Sequence, residues 1–137
     1  MAMVTMTRLG GCNCGQVRYT LEGEPTRTGI CHCEACRKES GSAFSFFGFW
    51  PRAAVTLSGE LSGWRSRAGE DRFCPRCGSS LFCFDDNSDE IEIKLGTLDG
   101  GPSMIAPGYE LWTIRREHWL VPVGAAEQHE RDRLKRS

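Results

Sequence analysis

Apolar and polar side chains alternate where Val17, Tyr19 and Leu21 face Arg18, Thr20 and Glu22, the period of two that marks a half-buried strand. The same period is cleanest at Ile91, Ile93 and Leu95 against Glu90, Glu92 and Lys94. Residues 43–50 break the alternation. Phe44, Phe46, Phe47 and Phe49 make the run almost continuously apolar, Gly48 interrupts it and Pro51 ends it, so a strand buried on both faces is predicted. Residues 55–57 and 61–64 flank a turn at Ser58-Gly59 between two short strands. Residues 81–84 predict another strand, and residues 118–121, stopped by Pro122, a last one. Helix is scarce. Only residues 125–135 have a helix-friendly composition, with Glu127 and Arg131 four apart, yet they present little apolar face and read equally as a frayed end. Many short strands with glycine-rich turns predict a mainly β chain. A single domain is expected over residues 1–124, with a polar C-terminal tail over 125–137.

A length of 137 residues fits one domain, and a net charge of -1 gives no electrostatic case for a nucleic-acid or membrane partner. No stretch approaches the roughly 18 consecutive apolar residues of a membrane-spanning helix. The first ten residues lack the apolar run of a secretion signal, so a cytoplasmic location is expected. That location changes how the cysteines are read, because clustered cysteines in a reducing compartment more often bind metal or do redox chemistry than form disulfides. An extracellular disulfide scaffold is the alternative, disfavoured by the absence of a signal segment.

The 8 cysteines are Cys12, Cys14, Cys31, Cys33, Cys36, Cys74, Cys77 and Cys83, and only Cys83 stands apart from a cluster. Cys12-Asn13-Cys14-Gly15 and Cys74-Pro75-Arg76-Cys77-Gly78 are two ligand pairs. Each turn brings two sulfurs to one point, and the glycine that follows permits positive φ where the chain doubles back. Together Cys12, Cys14, Cys74 and Cys77 complete a four-sulfur tetrahedron, a structural zinc site. Cys31-His32-Cys33-Glu34-Ala35-Cys36 supplies three more sulfurs, enough for three corners of a second tetrahedron whose fourth corner is left to water or substrate. Two alternatives would close that corner: Cys83, which shares a strand face with Leu81, or His32, which lies between two of the ligands. Two zinc ions per chain account for seven cysteines. Iron in a four-sulfur site is a further possibility, less favoured because one of the pairs is Cys-x-Cys.

These stretches resemble the glutathione-dependent formaldehyde-activating enzymes, a family that shares its domain with centromere protein V. The resemblance is carried by Gly11-Cys12-Asn13-Cys14-Gly15 before a strand with Val17, Arg18 and Tyr19, and by Cys31-His32-Cys33-Glu34-Ala35-Cys36-Arg37-Lys38. It continues through Ser40-Gly41-Ser42-Ala43-Phe44 and Arg72-Phe73-Cys74-Pro75-Arg76-Cys77-Gly78-Ser79-Ser80-Leu81. It spans roughly residues 10–100 and places all seven clustered cysteines on ligand positions. The resemblance implies a β-tent, small sheets stapled by zinc, with Cys12, Cys14, Cys74 and Cys77 on a structural zinc and Cys31, Cys33 and Cys36 on a catalytic one. It also implies a carbon–sulfur lyase activity that joins formaldehyde to glutathione as S-(hydroxymethyl)glutathione. After Asp99 no signature for glutathione recognition is found.

Zinc held by three thiolates carries a net charge near -1. Capture of a soft fourth thiolate is therefore more natural there than strong activation of water. A substrate thiol ionised in this way would attack an aldehyde carbon, and the reverse path would split a thiohemiacetal. Around this centre, Arg37 and Lys38 either meet substrate carboxylates or form a solvated charged turn. Arg72 is a weaker candidate for the same task. Ser40, Gly41 and Ser42 either line the pocket or simply start the Phe-rich strand. Trp64, Trp112 and Trp119 read as core or edge aromatics, and neither His118 nor His129 has a partner at metal-ligand spacing. The leading reading is a zinc enzyme acting on an adduct of a small thiol, glutathione or one similar to it, with an aldehyde. The competing reading is a non-catalytic zinc scaffold that binds a protein partner; a nucleic-acid zinc ribbon is a distant third.

Overall fold

The structure, a computed structural model, describes residues 6–66 and 69–133. Eleven strands, one α-helix and three single-turn 3-10 segments are found among them, so the mainly β expectation holds. The chain divides into two compact units, the first made of residues 6–27, 48–66 and 69–104 and the second of residues 28–47 and 105–133.

In the first unit, β1 (Thr7–Gly11) pairs antiparallel with β2 (Arg18–Glu22), and β5 (Val55–Ser58) flanks β2 on its other side. The alternation seen in the sequence is realised in β2: Tyr19 and Leu21 are buried while Arg18 and Thr20 are half-exposed. A second run of strands orders β9 (Glu90–Lys94), β8 (Ser80–Phe84), β7 (Glu70–Phe73) and β6 (Ser62–Arg65), all antiparallel. Leu81, Phe82, Ile91 and Ile93 are buried there, and Tyr19 meets Phe82 edge-on with ring centroids 5.4 Å apart. Trp50 is fully buried and its indole N–H donates to the carbonyl of Gly23 at 3.0 Å, which settles the one polar atom that burial would otherwise strand.

One expectation changes and two gain detail. The strands on either side of Ser58-Gly59 exist but do not pair with each other, since β5 lies on β2 and β6 on β7. Residues 118–121 form a turn rather than a strand, and Trp119 and Val121 are exposed at 72% and 79%. Trp64 is likewise 66% exposed, so neither it nor Trp119 serves as a core aromatic.

In the second unit, β3 (Arg27–Cys31), whose first residue belongs to the first unit, runs parallel to β10 (Tyr109–Leu111), with Gly29 opposite Tyr109 and Cys31 opposite Leu111. On the other side of β10 lies β11 (Glu127–Gln128), again parallel. The helix-friendly tail thus contributes a short strand here, because backbone bonding to β10 outweighs weak local propensity; residues 134–137 lie outside the described residues. β4 (Ser45–Pro51) starts in the second unit and ends in the first, with Phe47 and Trp50 buried and Phe46 and Phe49 half-buried.

The helix, α1 (Glu34–Ser40), was not foreseen. Seven residues are too few for a periodic apolar stripe, and none of its residues is buried. Its ends define it instead. Cys33 is the N-cap, accepting a bond from the Cys36 amide at 3.4 Å, and Gly41 closes the C-terminus with its N–H bonded to the carbonyl of Arg37.

Candidate metal centres and the adjoining cleft

The sulfurs of Cys12, Cys14, Cys74 and Cys77 all lie within 4.8 Å of one another in the first unit. Cys12 and Cys14 are 3.6 Å apart, and Cys14 and Cys74 3.7 Å. A tetrahedral zinc with four sulfurs at its usual bond length separates them by about 3.8 Å, so the group is already sized for such an ion. Both turns fold as their spacing requires. Gly15 and Gly78 each adopt φ of 82°, and Gly78 donates back to the Cys74 carbonyl at 2.8 Å. Amides aim at the sulfurs: Val17 donates to Cys12 at 3.2 Å, and Arg76 and Cys77 to Cys74 at 3.4 and 3.5 Å. Ser79 ties the halves together, its hydroxyl accepting from the Asn13 amide at 3.0 Å and lying 3.3 Å from the Cys77 sulfur. The hydroxyl and backbone of Ser79 hold the Cys77 thiol down to about 5. Against the pull of the Gln16 amide, burial and the three neighbouring sulfurs push Cys14 up to about 11.

The sulfurs of Cys31, Cys33 and Cys36 form the second group, again within 4.8 Å of one another, in the second unit. Cys31 ends β3, Cys33 caps α1 and Cys36 lies in its first turn, so a strand end and a helix start gather the three sulfurs. Hydrogen bonds from Cys31 and Cys36 depress Cys33 to about 2, while the bond to Cys33 raises Cys31 to about 12 and both neighbours drive Cys36 far above the ordinary thiol range. Such a trio holds one thiolate readily and opposes the next by charge repulsion. A cation reverses that repulsion, and three sulfur donors fit a borderline-soft ion such as zinc.

Neither group includes Cys83 or His32. Cys83 lies buried in β8 opposite Asp71 and Glu92, and burial first, then those carboxylates, raise its thiol to about 12. His32 is 1% exposed and its Nε2 lies 2.8 Å from Oε1 of Glu110, itself 1% exposed. Burial pushes the Glu110 carboxyl up, but hydrogen bonds from Gln128, His32 and Val123 with the charge of Arg116 bring it below the usual range. Glu110 was missed in the sequence, where a lone acid between Tyr109 and Leu111 reads as the exposed face of a strand.

A cleft of about 450 Å³ adjoins α1, lined by Glu34, Arg37, Lys38, Gly41, Ser42 and Arg115. Four of the substrate-contact candidates, Arg37, Lys38, Gly41 and Ser42, are therefore brought together. Arg37 pairs with Glu117 at 2.5 Å and Lys38 with Glu34 at 3.0 Å. The Ser40 hydroxyl is spent on the helix, donating to the Cys36 carbonyl at 2.8 Å. Arg72 sits on β7 of the first unit, 3.0 Å from Glu70 and over the Phe84 ring at 5.5 Å. Arg115 was also missed. It is exposed, its side chain makes no hydrogen bond or ion pair among the described residues, and only the fold brings it beside α1.

A mainly β chain that gathers seven cysteines into one four-sulfur and one three-sulfur group is a protein built around candidate metal centres. A sequence profile of the glutathione-dependent formaldehyde-activating enzyme family matches residues 7–115, and the chain belongs to that family. Two curated relatives are each named "putative glutathione-dependent formaldehyde-activating enzyme". That of Halomonas elongata is 32% identical over 101 aligned positions, covering 60% of this chain and 59% of the relative. That of Penicillium rubens is 36% identical over 77, covering 52% and 40%. The chain thus spans about three-fifths or less of these relatives' lengths. A crystal structure of a Rhodobacter sphaeroides protein shares the fold, with a TM-score of 0.56 at 19% identity over 69% of this chain and 91% of that one. No described helix is long and apolar enough to cross a membrane.

Proposed function

We propose that the chain is a zinc-dependent carbon–sulfur lyase of the cytoplasm. It holds two zinc ions and acts on the adduct of a small thiol, glutathione or one like it, with formaldehyde or a similar aldehyde. The observation that carries this reading is the three-sulfur group at the start of α1, with no fourth protein ligand among the described residues and a basic cleft on the same helix. Family membership and the relatives' names support the choice of thiol and aldehyde.

Zinc bound by Cys31, Cys33 and Cys36 would supply a site at which a substrate thiol loses its proton near neutral pH. The chain's own residues do the rest. Arg115 and Lys38 attract the carboxylates of a peptide-like thiol, while the Arg37–Glu117 pair fixes one wall of the cleft. Gly41 and Ser42 keep the cleft floor small. A carbon–sulfur bond forms as the sulfur lone pair enters the carbonyl carbon, and the carbonyl oxygen gains the proton the thiol gave up. The reverse sequence splits the adduct.

Metal analysis with a turnover assay tests the proposal. Purified protein is expected to carry two zinc ions and to speed the exchange of formaldehyde with glutathione, followed by NMR. Cys33→Ser is expected to carry one ion and lose the catalysed rate. Unchanged turnover in that variant would sink the proposal. The scaffold reading draws on exposed Ile114, Trp119 and Val121 in the second unit, and it predicts two ions whose spectra, after cobalt substitution, ignore added glutathione.

A further inference from the structure

Glu110 is a carboxylate buried in a strand, and the chain surrounds it with donors. Oε1 faces His32 Nε2 at 2.8 Å and the Arg116 guanidinium at 3.5 Å. Oε2 accepts from the Val123 amide at 2.7 Å and from the Gln128 side-chain amide at 2.7 Å. Burying a charge so completely costs several kcal/mol before its partners compensate, and an apolar residue would fill the strand more cheaply. The arrangement calls for a purpose other than packing.

His32 shows what that purpose is. It is the single residue between the sulfurs of Cys31 and Cys33, its backbone N–H is bonded to the Leu111 carbonyl at 3.0 Å, and its ring rests against Phe44 at 5.6 Å. Four donors leave Glu110 no proton to give, so His32 donates from Nε2 and its orientation is set by the carboxylate; its Nδ1 is buried and finds no partner. We infer that Glu110 is a positioning residue for the three-sulfur centre: through His32 it fixes the backbone between Cys31 and Cys33, and it ties that centre to the C-terminal segment that supplies Val123 and Gln128. The inference rests on the reading that Cys31, Cys33 and Cys36 bind a metal ion.

Glu110→Gln tests it at constant shape. As arranged, all partners of Glu110 are donors, so the amide NH2 of glutamine must either break the Val123–Gln128 pair or face His32 and Arg116, where the His32 contact survives only if the ring moves its proton to the buried, unpartnered Nδ1. In chelator competition on the zinc-loaded chain, the second ion of Glu110→Gln is expected to bind about tenfold more weakly, the scale of lost outer-shell partners. The four-sulfur ion should hold as tightly as before. With cobalt in the second centre, its ligand-field bands should shift. His32→Leu should reproduce both effects, His32→Gln, which keeps a donor at Nε2's place, should restore them in part, and the double variant Glu110→Gln/His32→Leu should be no worse than either single one.

Equal affinity and unchanged bands in Glu110→Gln overturn the inference while leaving the metal reading intact. So do additive effects in the double variant. Loss of both ions together in Glu110→Gln would assign the residue to folding instead, and the His32 pair then decides, since Leu and Gln behaving alike also overturns it. A wild-type chain that takes up only the four-sulfur ion removes the metal reading and the inference with it.

Discussion

Surroundings, rather than residue type, separate the cysteines of this chain. Cys83 is a buried thiol held protonated by apolar surroundings and two carboxylates, whereas Cys33 is held as a thiolate by its neighbours. At neutral pH, Cys83 of the metal-loaded chain is therefore expected to resist iodoacetamide until the protein is unfolded, as peptide mapping of the alkylated chain would report. The sign of its pH effect follows from the raised value. A thiol whose value rises to about 12 on folding contributes stability that is fully present below the ordinary thiol range and is lost as pH climbs toward 12. Tyr19, raised to about 12 mainly by burial, acts the same way. Urea denaturation is expected to give falling stability from about pH 9 to 12, steepening by at most about 1.4 kcal/mol per pH unit for each group. A flat profile would contradict the burial of both. Arg115 belongs to this scale too. Arg115→Glu should raise KM for a dicarboxylate thiol several-fold while zinc content stays at two, and an unchanged KM would remove Arg115 from the cleft's chemistry.

Among the elements, strands with one buried face were legible because their period is written in consecutive residues. β2 and β9 match their alternation, and β8 falls where its apolar run lies. α1 was not legible, since its identity resides in a cysteine cap and a glycine stop rather than in any stripe. The partner of each strand was equally hidden: the turn at Ser58-Gly59 looks like a hairpin, yet it separates β5 from β6 to different neighbours. At that turn Gly59 lies against the Gln16 backbone. Its φ is 100°, and a Cβ there would lie 2.2 Å from the Gln16 carbonyl oxygen, a backbone atom that cannot step aside. Gly59→Ala is expected to cost about 2–3 kcal/mol or more, beyond the ~1 kcal/mol of positive φ alone. Gly15→Ala, which has positive φ but nothing within 4 Å, should cost about 1 kcal/mol. Equilibrium unfolding of the two zinc-loaded variants compares them directly.

At the scale of the whole molecule, each compact unit contains one sulfur group, four sulfurs in the first and three in the second. This distribution predicts separable losses. Cys74→Ser should lose one ion and with it much of the chain's thermal stability, because structural zinc contributes on the order of 10 kcal/mol in small metallodomains. Cys36→Ser should lose the other ion and the catalysed turnover with a smaller fall in Tm. Metal analysis and calorimetry of the two variants check this, and loss of both ions from either would show the centres to be coupled.

Spacing determined which neighbouring cysteines would bring their sulfurs together, since Cys-x-Cys, Cys-x-x-Cys and the Cys31–Cys36 run each do so through a few local dihedrals, whereas the meeting of the Cys12–Cys14 pair with the Cys74–Cys77 pair was decided by the fold. The mainly β class was determined in the same local way. Only the tertiary structure decided that Cys83 stands outside both groups, that Arg115 joins Arg37 and Lys38 at one cleft, and that Glu110 reaches His32 across 78 positions of chain. Such meetings depend on which strand lies beside which, and strand partners are chosen by backbone bonding and burial summed over distant segments, a quantity no short window of residues contains.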